Sequence, residues 1–485
     1  MSRLGLEGKD SCHRFQRFSP PLSSSKRIFL LKTILVILLF SAASVSQAIP
    51  AHAIPSGRNF DSIVTIVMEN TGIADICGLS PPPCDGSGES TPYMASLANN
   101  YSLALQYTTL SNTKGGNGGQ NSTTIHSSLP EYIALTAGQA QSDWSSTDCA
   151  PTTPNPPCTA GNTLNMIDSL SSAGLTWAAF AEDYPVSTGC YVGSDTGNFS
   201  GRHFPFNYYS DIVGTTKCSN LQKANTATIG LPDTPFINYL NASSGWANYI
   251  WLTPNLCDDG HDHCSQIGNL ATSCANPSGG YACEEEAYLK QLVPLILRTT
   301  LFTTQRSALF VTYDEGGGFC PNFNTGNGDC IYSIFVGSGV KTGYTSTNAY
   351  DHYSYLATIE NNWSLNCLVP GNDCSAPNMS EFFLGTPSFS LTPTIWSCTL
   401  INGCSMPFTV TSQGGFTGTV SFSIQFLSSQ DTATFSPPTV ILKNGAKNST
   451  QMLITGPCFG NSRPQVQASS GGITQVSSGH FVCVV

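Results

Sequence analysis

Four short apolar runs in this chain lead into groups that could hold a cation or move a proton. IVTIVM (residues 63–68) runs into Glu69 and Asn70, and LTWAAF (175–180) is followed by Glu182 and Asp183. NYIWLT (248–253) leads to Asp258, Asp259, His261, Asp262 and His263, while ALFVTY (308–313) ends in Asp314 and Glu315. Carboxylates gathered at one place repel each other, and a divalent metal is their natural neutraliser. Polar residues follow buried strands in any protein because loops are wet, but four such endings are more than a chain with only 10% charged residues should give by that route. A nucleophile is offered by GGNGGQNSTTIHSSLPEYIALTAG (115–138), where a Gly-rich loop leads to Ser127 and Ser128 and Pro130 suits the first turn of a helix. A serine there meets unpaired N–H groups and a dipole that stabilise an oxyanion or a phosphoryl group. Serine is also a favoured N-cap, which leaves Ser128 a purely structural alternative.

These groups meet only if the runs are neighbouring strands. The runs, together with IYSIFVG (331–337), alternate with amphipathic stretches at 93–101, 163–170 and 284–301. Continuous apolar strands separated by helices predict an α/β fold over residues 54–385, a three-layer α/β/α sandwich with a mostly parallel sheet. Ligands bind such sheets beyond the carboxyl ends of the strands, where the acidic groups lie. From about Thr386 the pattern changes to period-two strands separated by Gly, Ser, Asn and Pro, which predicts a C-terminal all-β Ig-like sandwich over 386–485. That part holds His480 but no convergent acidic cluster, so its expected role is as a spacer or in contact with a cell surface or polymer.

Over all 485 residues, 19 basic side chains stand against 30 acidic ones, a formal charge of −11. This excludes nucleic acid as a partner, since phosphate backbones require a basic footprint. A basic stretch ending in Lys26, Arg27 and Lys32 precedes an apolar segment (33–45) and the small-residue patterns SQA and AHA, so residues 1–53 read as a signal peptide or an N-terminal anchor. Beyond Cys12 the 18 cysteines fall into nearest-neighbour pairs: 77 with 84, 149 with 158, 190 with 218, 257 with 264, 274 with 283, 320 with 330, 367 with 374, 398 with 404, and 458 with 483. Nine local disulfides suit a secreted or cell-surface protein. Thiolate ligation of a metal by Cys257 and Cys264, which flank His261 and His263, is the alternative.

Seven stretches in order, MENTGIADI, HSSLPEYIALTAG, WAAFAEDYP, HFPFNYY, TPNLCDDGHDHC, VTYDEGGG and DHYSYLATIENNW, resemble the phosphoesterase family of secreted acid phosphatases and bacterial phospholipases C, within the alkaline phosphatase-like superfamily. The resemblance, over about 58–366, implies that Glu69, Asn70, Asp314 and Glu315 bind a divalent metal (Mg, Mn, Ca or Zn) and that Ser128 is the nucleophile. It implies that Asp259, His261 and His352 hold or protonate the leaving oxygen or ligate a second cation, with His263 competing with His261. His126, His203 and Glu182 are further candidates for substrate contact. The chain departs from the family at Glu131, where Asn is usual, and at Ser127, often Pro. An ionised carboxylate 4 Å from a phosphate charge costs about 4 kcal/mol at an effective dielectric near 20. The expectation is a secreted, metal-dependent phosphoric ester hydrolase with a phosphoserine intermediate. Its substrate is a small phosphate ester or a phospholipid, and a monoesterase is favoured over a phospholipase C because the acidic chain disfavours anionic bilayers. An inactive surface-binding protein is the competing expectation.

Overall fold

The computed structural model describes residues 55–86, 90–110, 127–140, 148–151, 158–226, 233–267, 270–271, 281–316, 330–400, 404–443, 445–456 and 463–483. The N-terminal segment expected to serve export or anchoring, the Gly-rich loop and His126 lie outside them. The first ten strands are β1 (Ser62–Met68), β2 (Ser102–Thr108), β3 (Trp177–Ala181), β4 (Leu221–Lys223), β5 (Tyr249–Thr253), the short pair β6 (Gln266–Ile267) and β7 (Leu270–Ala271), β8 (Ser307–Tyr313), β9 (Ile334–Gly337) and β10 (Tyr344–Asp351). Apart from β6 and β7 they form one sheet in the order β10-β2-β9-β8-β1-β5-β3-β4. Every neighbouring pair is parallel except those of β9, which runs antiparallel to both β8 and β2. The expected strand at 331–337 is therefore shorter and reversed. β1 lies centrally and is buried at all seven positions, as its β-branched sequence SIVTIVM requires.

The helices are α1 (Ile73–Cys77), α2 (Pro92–Asn100), α3 (Ser128–Ala137), α4 (Met166–Ser172), α5 (Thr234–Leu240), α6 (Ala282–Arg298), α7 (Thr300–Thr304) and α8 (His352–Trp363). Successive strand side chains point to opposite faces, which assigns the layers. On β8, Phe310 stacks on Tyr355 of α8 (centroids 5.0 Å apart), whereas Tyr313 reaches the other way and donates its hydroxyl to Glu285 of α6 at 2.6 Å. Likewise Trp251 of β5 meets Tyr132 of α3, while Phe180 of β3 packs edge-on against Phe236 of α5. Helices thus cover both faces. No described helix is long and apolar enough to cross a membrane.

From Ser388 onward the described elements are all strands, in two sheets ordered β11-β13-β17-β15 and β12-β19-β18-β14-β16, where β11 is Ser388–Thr392, β12 Ile395–Leu400, β13 Cys404–Gln413, β14 Gly418–Gln425, β15 Thr432–Ser436, β16 Thr439–Leu442, β17 Lys447–Thr455, β18 Gln465–Ser470 and β19 Ile473–Cys483. Alternate residues turn inward, as Thr450, Met452 and Ile454 do on β17. Phe389, Phe408, Met452 and Ile454 of the first sheet share one core with Val420, Leu442, Val466 and Ala468 of the second.

Five of the expected disulfides are described: Cys77–Cys84, Cys149–Cys158, Cys190–Cys218, Cys257–Cys264 and Cys367–Cys374. Cys283, Cys330 and Cys404 are also disulfide-bonded, and the expected pairings of these three, like that of Cys458 with Cys483, involve residues or side chains outside the description. The bond between Cys257 and Cys264 overturns the thiolate-metal alternative, because a disulfide sulfur is no longer an anionic ligand.

Glu360 of α8 is buried close to Asp373, which lies within the Cys367–Cys374 loop. Burial, then the charge of Asp373, pushes the Glu360 carboxyl up to about 9. An acid raised on folding gives stability that is complete below its unfolded value near 4.5 and is lost as pH climbs through the folded value. Stability should therefore fall between about pH 5 and 9, by at most about 1.4 kcal/mol per pH unit from this group. Glu360→Gln should flatten that slope in urea denaturation series at several pH values; an unchanged slope contradicts the assignment.

Candidate active site

Adjacent parallel strands β8, β1 and β5 end at the same edge, so Asp314, Glu69 and the turn carrying Asp259 and His261 converge there. Backbone bonds lock this edge: Glu69 N–H donates to Asp259 O (2.9 Å) and Asp314 N–H to Met68 O (3.1 Å). Asn70 turns the chain with a left-handed φ of 57°, which Asn tolerates better than most residues. Its N–H then faces Asp314 Oδ1 (3.4 Å) and its Nδ2 donates to Glu69 Oε2 (3.3 Å). Gly260, at φ 85°, separates Asp259 from His261; a Cβ there would lie 2.7 Å from Glu285 Cγ, so the turn needs glycine.

Ser127 precedes α3 in an extended conformation and makes no side-chain cap bond, so Ser128 is the first helical residue and not the N-cap. Ser128 Oγ donates to Glu69 Oε2 at 3.2 Å. One turn on, Tyr132 Oη donates to Glu69 Oε1 at 3.0 Å. His203 lies flat against Tyr132 (5.3 Å, 8°), with Nε2 3.1 Å from Glu69 Oε1 and Nδ1 3.1 Å from Asp259 Oδ2. His261 takes its Nε2 contact from Arg202 Nη2 (3.2 Å) and places Nδ1 2.8 Å from Asp262 Oδ1.

Glu69, Asp259 and Asp314 are all 0% exposed, and among the described residues the positive charge acting on Glu69 and Asp259 is that of Arg202. Burial, then Asp314 and Asp259, pushes Glu69 well above the usual carboxylate range; burial also raises Asp259, and takes Asp314 to about 6. Burial, followed by Arg202 and His261, lowers His203 well below the usual imidazole range. A neutral imidazole has one N–H, so it can donate to only one of its two carboxyl neighbours. The other contact needs a proton on the acid, or a cation in its place.

The donors fit such a cation. Glu69, His203 and His261 each offer a ligand atom, all within 4.8 Å of one another, and Asp314 Oδ2 is buried with no hydrogen-bond partner. Mixed carboxylate and imidazole ligands suit zinc and neighbouring divalent metals. Glu315 is half-buried next to this group, donates its N–H to Asp314 Oδ1 (2.7 Å), and adds its charge to those acting on Glu69.

Other sequence candidates lie elsewhere. His352 is buried behind Asp314, its Nε2 3.0 Å from the Asp314 carbonyl and 3.3 Å from Glu131 Oε2, and it makes no described contact with Ser128. Glu131 Oε2 is engaged there and with Leu110 N–H (3.2 Å). Glu182 belongs to a second buried acidic group with Asp233 and Asp258; its Oε2 accepts from Asn255 N–H (2.9 Å). His263 turns outward to Glu284 (2.6 Å) and stacks on Tyr281. Neither Glu182 nor His263 is described in contact with Ser128, and both ring nitrogens of His203 face carboxyls. Three neighbours escaped the sequence reading. Tyr132 could have been found by its i+4 spacing from Ser128. Arg202 is the sole arginine between Arg58 and Arg298 and adjoins His203. Asp148 accepts from Leu129 N–H (3.0 Å) and lies 3.4 Å from Arg202 Nε, with no sequence signal.

The description Phosphoesterase family matches residues 89–366, a span that contains Ser128, His203, Asp259, His261, Asp314 and His352 but begins after Glu69. The chain is 26% identical over 355 residues to the phosphatidylinositol-3-phosphatase of Mycobacterium tuberculosis, covering 72% of this chain and 92% of that protein. It is 25% identical over 247 residues to a probable acid phosphatase of Kluyveromyces lactis, covering 50% and 49%, and 24% identical over 225 residues to a phosphate-repressible acid phosphatase of Penicillium chrysogenum, covering 44% and 45%. It therefore spans about half the length of these fungal relatives. A solved structure of an alkaline phosphatase superfamily protein from Vibrio parahaemolyticus is similar at 12% identity, covering 75% of this chain and 79% of that one, with a TM-score of 0.42.

Tyr132→Phe removes the hydroxyl donor to Glu69 and keeps the ring against His203. It should lower stability by about 1–3 kcal/mol, read by urea denaturation at pH 7; no loss would show that Glu69 does not depend on that donor.

Proposed function

Because the chain belongs to the phosphoesterase family and is a phosphoric ester hydrolase, we propose that it is a monoesterase in which the Ser128 hydroxyl attacks phosphorus. The observation that carries this is the 3.2 Å hydrogen bond from Ser128 Oγ to Glu69 Oε2 at the convergence of buried acids. The Glu69 carboxylate, in its ionised form, accepts this bond and is placed to take the hydroxyl proton as the Oγ–P bond forms and the ester P–O bond breaks, and burial gives it a high affinity for that proton. His261 is the partly exposed imidazole next to this group, and it is suited to deliver a proton to the departing oxygen. Water then attacks the phosphoserine, releasing phosphate and restoring the hydroxyl. Arg202 supplies the positive charge that a phosphoryl group needs nearby. A divalent cation held by Glu69, His203 and Asp314, with Asn70 and Glu315 beside them, would neutralise the carboxylates and activate the attacking oxygen. The names of the three relatives, all phosphatases, favour a monoester over the phospholipase C reading. The disulfides and the N-terminal sequence favour export.

Ser128→Ala should abolish hydrolysis of a chromogenic phosphate monoester by at least about a thousandfold, and intact-mass analysis of wild type quenched during turnover should find phosphate on Ser128. Full turnover by the variant would refute the nucleophile. Asp314→Asn should lower bound metal and activity together in a protein that still folds; metal content equal to wild type refutes its role as a ligand.

A further inference from the structure

Glu131 is the position at which the chain departs from the family pattern, and it has a part in the site that the chemistry above does not use. It lies three residues beyond Ser128 on α3 and is 0% exposed. Its Oε2 accepts from Leu110 N–H (3.2 Å), just past β2, and lies 3.3 Å from His352 Nε2 at the start of α8. The same Nε2 is 3.0 Å from the carbonyl oxygen of Asp314, and His352 Nδ1 is 3.2 Å from Tyr107 Oη on β2.

These contacts fix the tautomer. Nε2 faces two acceptors, the Glu131 carboxyl and the Asp314 carbonyl, so it carries the hydrogen; Nδ1 is then the acceptor for the Tyr107 hydroxyl. The result is a closed circuit. Ser128 is joined to Asp314 on one side through Glu69 and Asn70, and on the other through α3, Glu131 and His352. We infer that Glu131 is a positioning residue: with His352 it sets the offset between the Ser128 hydroxyl and the Asp314 carboxylate. Its effect on turnover rests on the monoesterase reading above, while its effect on His352 does not. Glutamate at 131 therefore supports, through His352, the strand end that carries Asp314. Partners of this kind, one step removed from metal ligands, commonly change metal affinity or rate by about 10- to 100-fold when lost.

The test compares Glu131→Ala, Glu131→Gln, His352→Ala and the double variant Glu131→Ala/His352→Ala in the full chain, each shown to be folded by circular dichroism. Measurements are kcat and KM for a chromogenic monoester, affinity for Mn²⁺ alone by titration calorimetry, and the imidazole N–H signal of His352 in ¹⁵N-histidine protein. Glu131→Ala should lower kcat and Mn²⁺ affinity roughly tenfold or more with KM little changed. Glu131→Gln, which keeps an oxygen for Leu110 and His352, should recover most of the loss, and the double variant should be no worse than His352→Ala. The His352 Nε2–H signal should be sharp in wild type and Glu131→Gln, and exchange-broadened in Glu131→Ala. Additive losses, no rescue by glutamine, or an unaltered His352 signal in Glu131→Ala would each overturn the inference. A wild type inert towards monoesters would defeat the functional reading alone, leaving the His352 signal to decide this one.

Discussion

Unanswered negative charge at one sheet edge governs this molecule. Glu69, Asp259 and Asp314 are fully buried, and among the described residues the guanidinium acting on them, Arg202, is shared with Asp148 and Asp195. Ionised carboxylates cannot stay in such a place alone, so protons or a cation must accompany them. Protein stability alone would favour apolar residues at these positions. Their presence marks an edge where folding free energy is given up to keep acids together, the kind of place where a candidate site is sought.

The scaffold explains how those groups are held. Parallel neighbours with continuous burial leave the strand ends little freedom, and backbone bonds tie Glu69 to Asp259 and Asp314 to Met68. Ser128 comes from a different kind of element, a helix whose first turn faces that edge. Its hydroxyl meets a carboxyl already fixed by Tyr132 and Asn70, so the pair is organised before any substrate arrives.

Much of this was legible in the residues, for reasons that also explain what was not. Apolar runs ending in acids reveal strands and the edge they share, because burial on both faces leaves a continuous hydrophobic signature. Local cysteine pairs were readable because short loops leave few alternatives. The direction of β9 was hidden, since an apolar run reads alike either way. His261 and His263 share one motif, yet a tight turn with Gly260 sends one towards His203 and the other towards Glu284. Tyr132 looks like an ordinary core aromatic until its hydroxyl is followed to Glu69. Glu131 seemed an obstacle to phosphate because its charge was visible in the sequence and its partner, more than two hundred residues away, was not.

The reversal of β9 has a consequence for how the chain is routed. β8 finishes at the reactive edge, and a further parallel strand would oblige the chain to travel back over the sheet through a connecting helix. By descending as β9 the polypeptide makes that return journey within the sheet itself, so β10 can climb again and set down Asp351 and His352 beside the Asp314 it left shortly before. An inverted strand stands in for a whole covering layer, and the chain, after passing β2 to reach β10, brings His352 back against the Asp314 carbonyl.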